Sequence, residues 1–164
     1  MSKTIKAPAA KIAALLNPEV INLNLQAQQK TGALREVASL LVPGQRVANF
    51  EAFFDEILER ERVSNTALGH DVAIPHARTD QCSEILIAVG RSLAGVDFES
   101  PGDPPVRLIF LIGTPKQMVA EYLRLVGNLA RLLRQDVLRE KLLAAPDAAT
   151  FIKLMDAAES GGAA

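Results

Sequence analysis

The chain has two histidines, His70 and His76, and the second stands directly after Pro75. A neutral imidazole is a competent nucleophile near pH 7, because its ordinary pKa is about 6.5. Proline fixes its own φ and biases the preceding residue, Ile74, toward extended backbone. The result is a stiff platform that holds the ring after it in one direction. If that ring accepts a phosphoryl group, the phosphoryl oxygens need positive charge and hydrogen-bond donors around them. Arg60, Arg62 and Arg78 are the cations close in sequence, and Thr66 offers a hydroxyl. Arginine presents a planar fork that matches phosphate geometry, and loop N–H groups can add further donors. Each residue also has a plain structural reading. A Pro-His pair in a loop is often surface structure. Arg60 and Arg62 suit a solvated helix end, where cations favour the C-terminal dipole. Thr66 can simply satisfy loop backbone.

Other chemistries fit poorly. His70-Asp71 is a pair seen in metal-dependent phosphohydrolases, but such sites need several more His and Asp ligands. Two histidines, one cysteine and no carboxylate cluster at ligand spacing do not supply them. No Gly-rich phosphate loop ending in Lys-Ser/Thr is present, so autonomous ATP use is not expected. The net charge is −1, with 18 Lys+Arg against 19 Asp+Glu, so no global field draws in nucleic acid. Base stacking is disfavoured by the absence of Trp. Cys82 is the only cysteine, so no internal disulfide forms, which fits a reducing compartment. The first residues lack an apolar segment of the secretory type, and apolar runs are short and interrupted by charge. A cytoplasmic protein without membrane insertion is expected.

The elements that must position His76 follow from periodicity. With 164 residues, 49% apolar and 23% charged, the chain suits one domain with a full core. Residues 1–14 read as a lead-in, with Ile12, Leu15 and Leu16 able to form one helical turn. Residues 20–25 alternate as a strand with Ile21, Leu23 and Leu25 on one face. Leu34, Val37, Ala38 and Leu41 then sit at helical spacing until Pro43-Gly44. A second helix begins at Asn49 as N-cap, with Phe50, Phe53, Phe54, Ile57 and Leu58 inward. Residues 64–80 have no period and form the functional loop, broken by the short apolar piece Val72-Ala73-Ile74. Residues 84–89 and 106–112 read as buried strands, joined by the Gly- and Pro-rich connection 95–105 and closed by Gly113-Thr114-Pro115. A long helix over about 117–134 would bury Val119, Tyr122, Leu123, Val126, Leu129, Ala130 and Leu133. Asp136 and Asp147 are candidate caps of two last helices. Residues 159–164 read as a flexible tail. The fold class is α/β: a single domain over 15–158, with a mixed central sheet flanked by helices on both faces in three layers.

The run from Arg60 to His76 carries a resemblance. Arg60-Glu61, then Thr66, Gly69 and Ala73-Ile74-Pro75-His76 resemble the active-site signature of the fructose–mannitol and nitrogen-regulatory enzyme IIA family of the phosphoenolpyruvate-dependent phosphotransferase system. Similarity extends to Gly95-Val96-Asp97-Phe98, the strand over 106–112 and the helix after it. The resemblance implies an enzyme IIA-like (type 2) domain over 15–158. It implies that His76 accepts a phosphoryl group from a histidine phosphocarrier protein, with Arg60 and Thr66 as active-site partners. Arg78, His70 and Tyr122 are supporting candidates. No cofactor or metal is implied. The recipient would be an enzyme IIB protein or a regulatory target. A short chain carrying no attached domain resembles the nitrogen-regulatory branch more than a sugar transporter. Two departures stand out. Tyr122-Leu123 occupies the place of a His-Leu pair, so Tyr122 would face His76, and a phenol can donate a hydrogen bond but is not a second imidazole. Asp71 replaces a small residue, and its carboxylate would repel a phosphoryl group unless it points away or pairs with Arg78. The alternative function is a phosphorylation-independent regulatory binding module.

Overall fold

Two antiparallel strands, β4 (Leu86–Val96) and β5 (Val106–Pro115), form the centre of the sheet. A strand covered on both faces needs a continuous apolar run, and Leu108-Ile109-Phe110-Leu111-Ile112 is fully buried. The computed structural model describes residues 11–161; residues 1–10 of the expected lead-in and 162–164 of the expected tail lie outside them. Short strand β1 (Ile21–Asn22) pairs in parallel with β4. Strands β2 (Val72–Ala73) and β3 (His76–Thr79) follow one another in parallel along β5. The sheet is therefore mixed, in the order β1-β4-β5-β2 with β3 also on β5.

Helices cover both faces. Register places Gly90 opposite Ile109 and Leu86 opposite Gly113, so these four share a face. Helices α1 (Lys30–Ala38) and α2 (Phe50–Val63) rest there. A Cβ at Gly90 would stand 2.5 Å from Val37 Cγ2, and one at Gly113 2.8 Å from Phe53 Cε2. The two glycines therefore let the helices lie directly on the strand backbone. On the other face Phe110 meets Phe151 of α5 (Ala148–Glu159), with ring centroids 6.0 Å apart. Buried Arg91 donates there to Leu142 O, Leu143 O and Ala145 O, carbonyls at and just past the end of α4 (Asp136–Ala144). Helix α3 (Val119–Leu133) precedes α4 and packs on it. Glu159, at the end of α5, accepts from the backbone N–H groups of Ile12 and Ala13 at 2.6 and 2.7 Å.

Asn49 caps α2 by accepting from Ala52 N, and Asp147 caps α5 by accepting from Thr150 N. Asp136 is not a cap; it lies inside α4 and pairs with Arg139. Four further expectations change. The strand expected over 20–25 shrinks to two residues. Pro18–Val20 is a 3-10 turn, Asn22 Oδ1 takes the Asn24 N–H, and the Glu36 carboxylate takes those of Gln26 and Ala27. The loop over 64–80 contains β3, because Pro75 O accepts from Ile112 N at 2.9 Å and carries the ladder past the proline. Gly113, Thr114 and Pro115 extend β5 instead of closing it, since β3 pairs with them. Val119 and Leu123 of α3 are 41% and 63% exposed rather than inward, and Leu125 and Leu132 take buried places.

Candidate active site

His76 opens β3, opposite Ile112 of β5, and is only 7% exposed. Its Nδ1 lies 2.8 Å from Ile74 O. A carbonyl only accepts, so the ring nitrogen facing it carries the proton. Nε2 then keeps its lone pair and is the nucleophilic atom. Burial lowers the pKa of His76 below the ordinary 6.5 and is the leading cause. The Ile74 carbonyl works against it, the Arg60 charge adds to the lowering, and Glu61 opposes. The ring is thus neutral and nucleophilic at pH 7.

The histidine separates two cavities. An open cleft of about 690 Å³ is lined by His76, Arg60, Arg78, Lys116, Tyr122 and Leu123, among others. A smaller one of about 190 Å³ lies between His76, Arg60, Thr66 and the Val126 and Ala130 side of α3. Arg60 borders both. It stands in the last turn of α2, and its Nη1 donates to Ser64 O at 2.9 Å, which aims the guanidinium back over the loop. The Tyr122 ring faces His76 at a centroid distance of 5.3 Å and an angle of 52°. Arg78 is exposed on the cleft wall, and Lys116 on the rim pairs with Asp80 at 3.1 Å. Exposed Val63, Val119 and Leu123 give the mouth an apolar border.

His76, Arg60, Thr66, Tyr122 and Arg78 therefore converge; other candidates do not. His70 is exposed and lines neither cavity beside His76. Arg62 points to another part of the surface and pairs with Glu59 at 3.0 Å. Thr66 is present, but its hydroxyl donates to the Glu61 carboxylate, so its proton is already taken. Asp71 pairs with Arg107 and lies 3.7 Å from Arg139 Nε, not with Arg78. Glu61 stands in the signature pair Arg60-Glu61, but its burial does not show in the sequence, because the charged run Glu59-Arg60-Glu61-Arg62 looks like a solvated helix end. Its partner Lys30 is on another helix. Among the described residues no group of three or more His, Cys, Asp or Glu could hold a metal ion, and no helix is long and apolar enough to cross a membrane.

A buried, tautomer-locked histidine after a proline, with an arginine beside it at an open cleft, is an arrangement chemically able to take up a phosphoryl group. The family model described as "Phosphoenolpyruvate-dependent sugar phosphotransferase system, EIIA 2" matches residues 14–158, and the chain belongs to this family. It is 37% identical over 127 residues to the "PTS system fructose-specific EIIA component" of Haloferax volcanii, covering 77% of this chain and 82% of the relative. It is 35% identical over 143 residues to a "Nitrogen regulatory protein" of Bradyrhizobium diazoefficiens, covering 86% and 92%. Among solved structures, Nitrogen Regulatory Protein IIA-Ntr from Neisseria meningitidis superimposes with a TM-score of 0.81 at 28% identity, covering 88% of this chain and 98% of that one. Phosphotransfer within the phosphotransferase system is the general role this membership gives.

Proposed function

We propose that the protein is a phosphocarrier that accepts a phosphoryl group on His76 Nε2 from a histidine phosphocarrier protein. The observation that carries this reading is the bond between His76 Nδ1 and Ile74 O, which leaves Nε2 unprotonated beside Arg60. The donor's P–N bond breaks as the Nε2–P bond forms, in line, and the donor imidazole recovers its lone pair. Arg60 faces the phosphoryl oxygens and offsets their charge. Nδ1–H stays on Ile74 O throughout, so the phosphohistidine keeps the orientation of the free ring. No cofactor or metal takes part. Val63, Val119 and Leu123 around the mouth suit docking of a partner protein, while Arg78 and Lys116 suit its anionic group. The group then passes to an enzyme IIB protein or marks the chain for a regulatory target in the cytoplasm. The likeness to the Bradyrhizobium and Neisseria nitrogen regulatory proteins favours the regulatory use.

A second reading rests on Tyr122, whose phenol stands against His76 where the family resemblance places an imidazole. On that reading the chain binds its regulatory target through the same apolar mouth, without phosphorylation. The deciding experiment incubates the protein with phosphoenolpyruvate, enzyme I and the histidine phosphocarrier protein, then follows intact mass and acid lability. One acid-labile phosphoryl group, absent in His76→Ala, is expected. No phosphate, with a donor active on a related enzyme IIA, leaves the binding module.

A further inference from the structure

The side chain of Glu61 is 3% exposed and that of Lys30, whose Nζ lies 2.8 Å from Glu61 Oε2, is 11% exposed. Two charges taken out of water in this way need a structural or functional return. Among the described residues Lys30 is the cation in contact with Glu61. Lys30 Nζ also lies 4.9 Å from the centre of the Phe98 ring, and Phe98 O accepts from Asn65 Nδ2 at 2.8 Å. The pair is thus held from α1, from α2 and from Phe98, two residues past the end of β4.

From Glu61 a continuous path leads to the nucleophile. Thr66 Oγ1 donates to Glu61 Oε1, and Thr66 N–H points to Oε2 at 3.4 Å. Thr66 O accepts from Ile74 N at 3.1 Å. Ile74 O accepts from His76 Nδ1 at 2.8 Å. Residue 66 is therefore clamped at its hydroxyl and its amide, and its carbonyl holds the N–H of Ile74, the residue whose own carbonyl selects the tautomer of His76. We infer that the Lys30–Glu61 ion pair is the anchor of this path and that Glu61 is a positioning residue for phosphoryl transfer. It acts through Thr66 and Ile74 and keeps the lone pair of His76 on Nε2. The inference rests on the reading of His76 as acceptor, yet the tautomer can be measured without any phosphoryl donor.

The test uses the full chain and its isosteric variants Glu61→Gln and Lys30→Met, with Thr66→Val as a third that removes only the hydroxyl contact. Nitrogen-15 shifts of the His76 ring at pH 8 report the tautomer, and amide dispersion reports the fold. The wild-type ring is expected to be protonated at Nδ1. Each variant is expected to raise the Nε2-protonated form severalfold, Thr66→Val in the same direction and least. Single-turnover uptake from the phosphorylated histidine phosphocarrier should lose roughly tenfold in its limiting rate, the effect of one weakened hydrogen bond, with half-saturation within about twofold. A tautomer ratio equal to wild type in folded variants overturns the inference, even if uptake slows. If Glu61→Gln and Lys30→Met do not fold, Thr66→Val decides by the same ratio. A wild-type chain that takes up no phosphate overturns the phosphocarrier reading alone, because the tautomer shift still decides the anchor.

Discussion

The rings of His76 and Tyr122 cross at 52° with their centroids 5.3 Å apart. Tyr122 and Arg60 both line the cleft beside His76. A neutral hydroxyl gives a phosphoryl oxygen a weaker hydrogen bond than an imidazolium does, by about 1 kcal/mol. Tyr122→His is therefore expected to speed onward transfer to an acceptor protein about fivefold. Tyr122→Phe keeps the ring contact and loses the donor, so the phosphorylated fraction at fixed donor should fall by about the same factor. Quench-flow with intact-mass detection reads both. Equal rates in all three proteins would make Tyr122 a packing residue only.

Arg60 borders both cavities beside His76 and is held over the loop by Ser64 O. On the proposed reading its guanidinium meets charge on the phosphoryl oxygens. Arg60→Gln should lower the limiting uptake rate roughly 10²-fold, the scale of losing one preorganised donor to a developing charge. Arg60→Lys keeps the charge but not the fork, so it should recover only part of that loss. The half-saturation for the donor should move little, because on the proposed reading the apolar mouth does the docking.

Much of this site was legible because its parts are local. Asn49 and the Phe53, Phe54 and Ile57 stripe fix where α2 starts and which face it buries, and its last turn delivers Arg60. The residues 106–112 run announces a doubly covered strand, against which His76 pairs. What was hidden depends on long-range partners. Pro75 looks like a strand stop, but its carbonyl still serves Ile112 and lets β3 continue. Val119 and Leu123 match the apolar period of α3, yet they stay exposed because that side of the helix borders the cleft. Glu61 carries no sign of burial in its charged neighbours, while Lys30 and Thr66 bury it. Sequence spacing shows which residues share a helix face; it does not show what a second helix brings to that face.

The titration of His76 has a defined sign. Burial first, with Arg60 adding to it, places the folded pKa below 6.5, so the unfolded chain binds the proton more readily. Stability from the neutral ring is therefore complete above about pH 6.5 and is lost as pH falls through the folded pKa. Uptake of phosphate should likewise stay level from pH 8 to 6.5 and decline only below that. Arg60→Gln should move the titration upward, toward the ordinary value, since one cause of lowering is gone. Proton NMR of the His76 ring against pH measures each shift. A midpoint above 6.5 in the wild type would contradict the burial argument.

Asp71 ties the loop that carries His76 to two other elements. Its backbone has a φ of +56°, a conformation that Asn and Asp tolerate better than other non-glycine residues. Its carbonyl accepts from Arg107 N and Leu108 N at 2.7 and 3.1 Å, which starts the pairing of β2 with β5. Its carboxylate takes Arg107 Nε at 2.7 Å and faces Arg139, whose Nη1 caps Leu133 O at the end of α3. The contact is sheltered on the Asp71 and Arg139 sides, 13% and 12% exposed, but open at Arg107, 41% exposed. A full loss of a buried pair costs about 3–5 kcal/mol, and solvent access at Arg107 reduces that to about 2 kcal/mol. Asp71→Asn keeps the backbone and removes the charge, so its melting temperature should fall by about 6 °C. Asp71→Ala adds left-handed strain of about 1 kcal/mol and should fall further. Phosphoryl uptake at 25 °C should stay within about twofold of wild type, since the carboxylate faces Arg107 and Arg139 and not the cleft. Coupling in the double variant with Arg139→Met, read from urea midpoints, tests the pairing itself. Additive losses would mean that Asp71 holds the loop through its backbone alone.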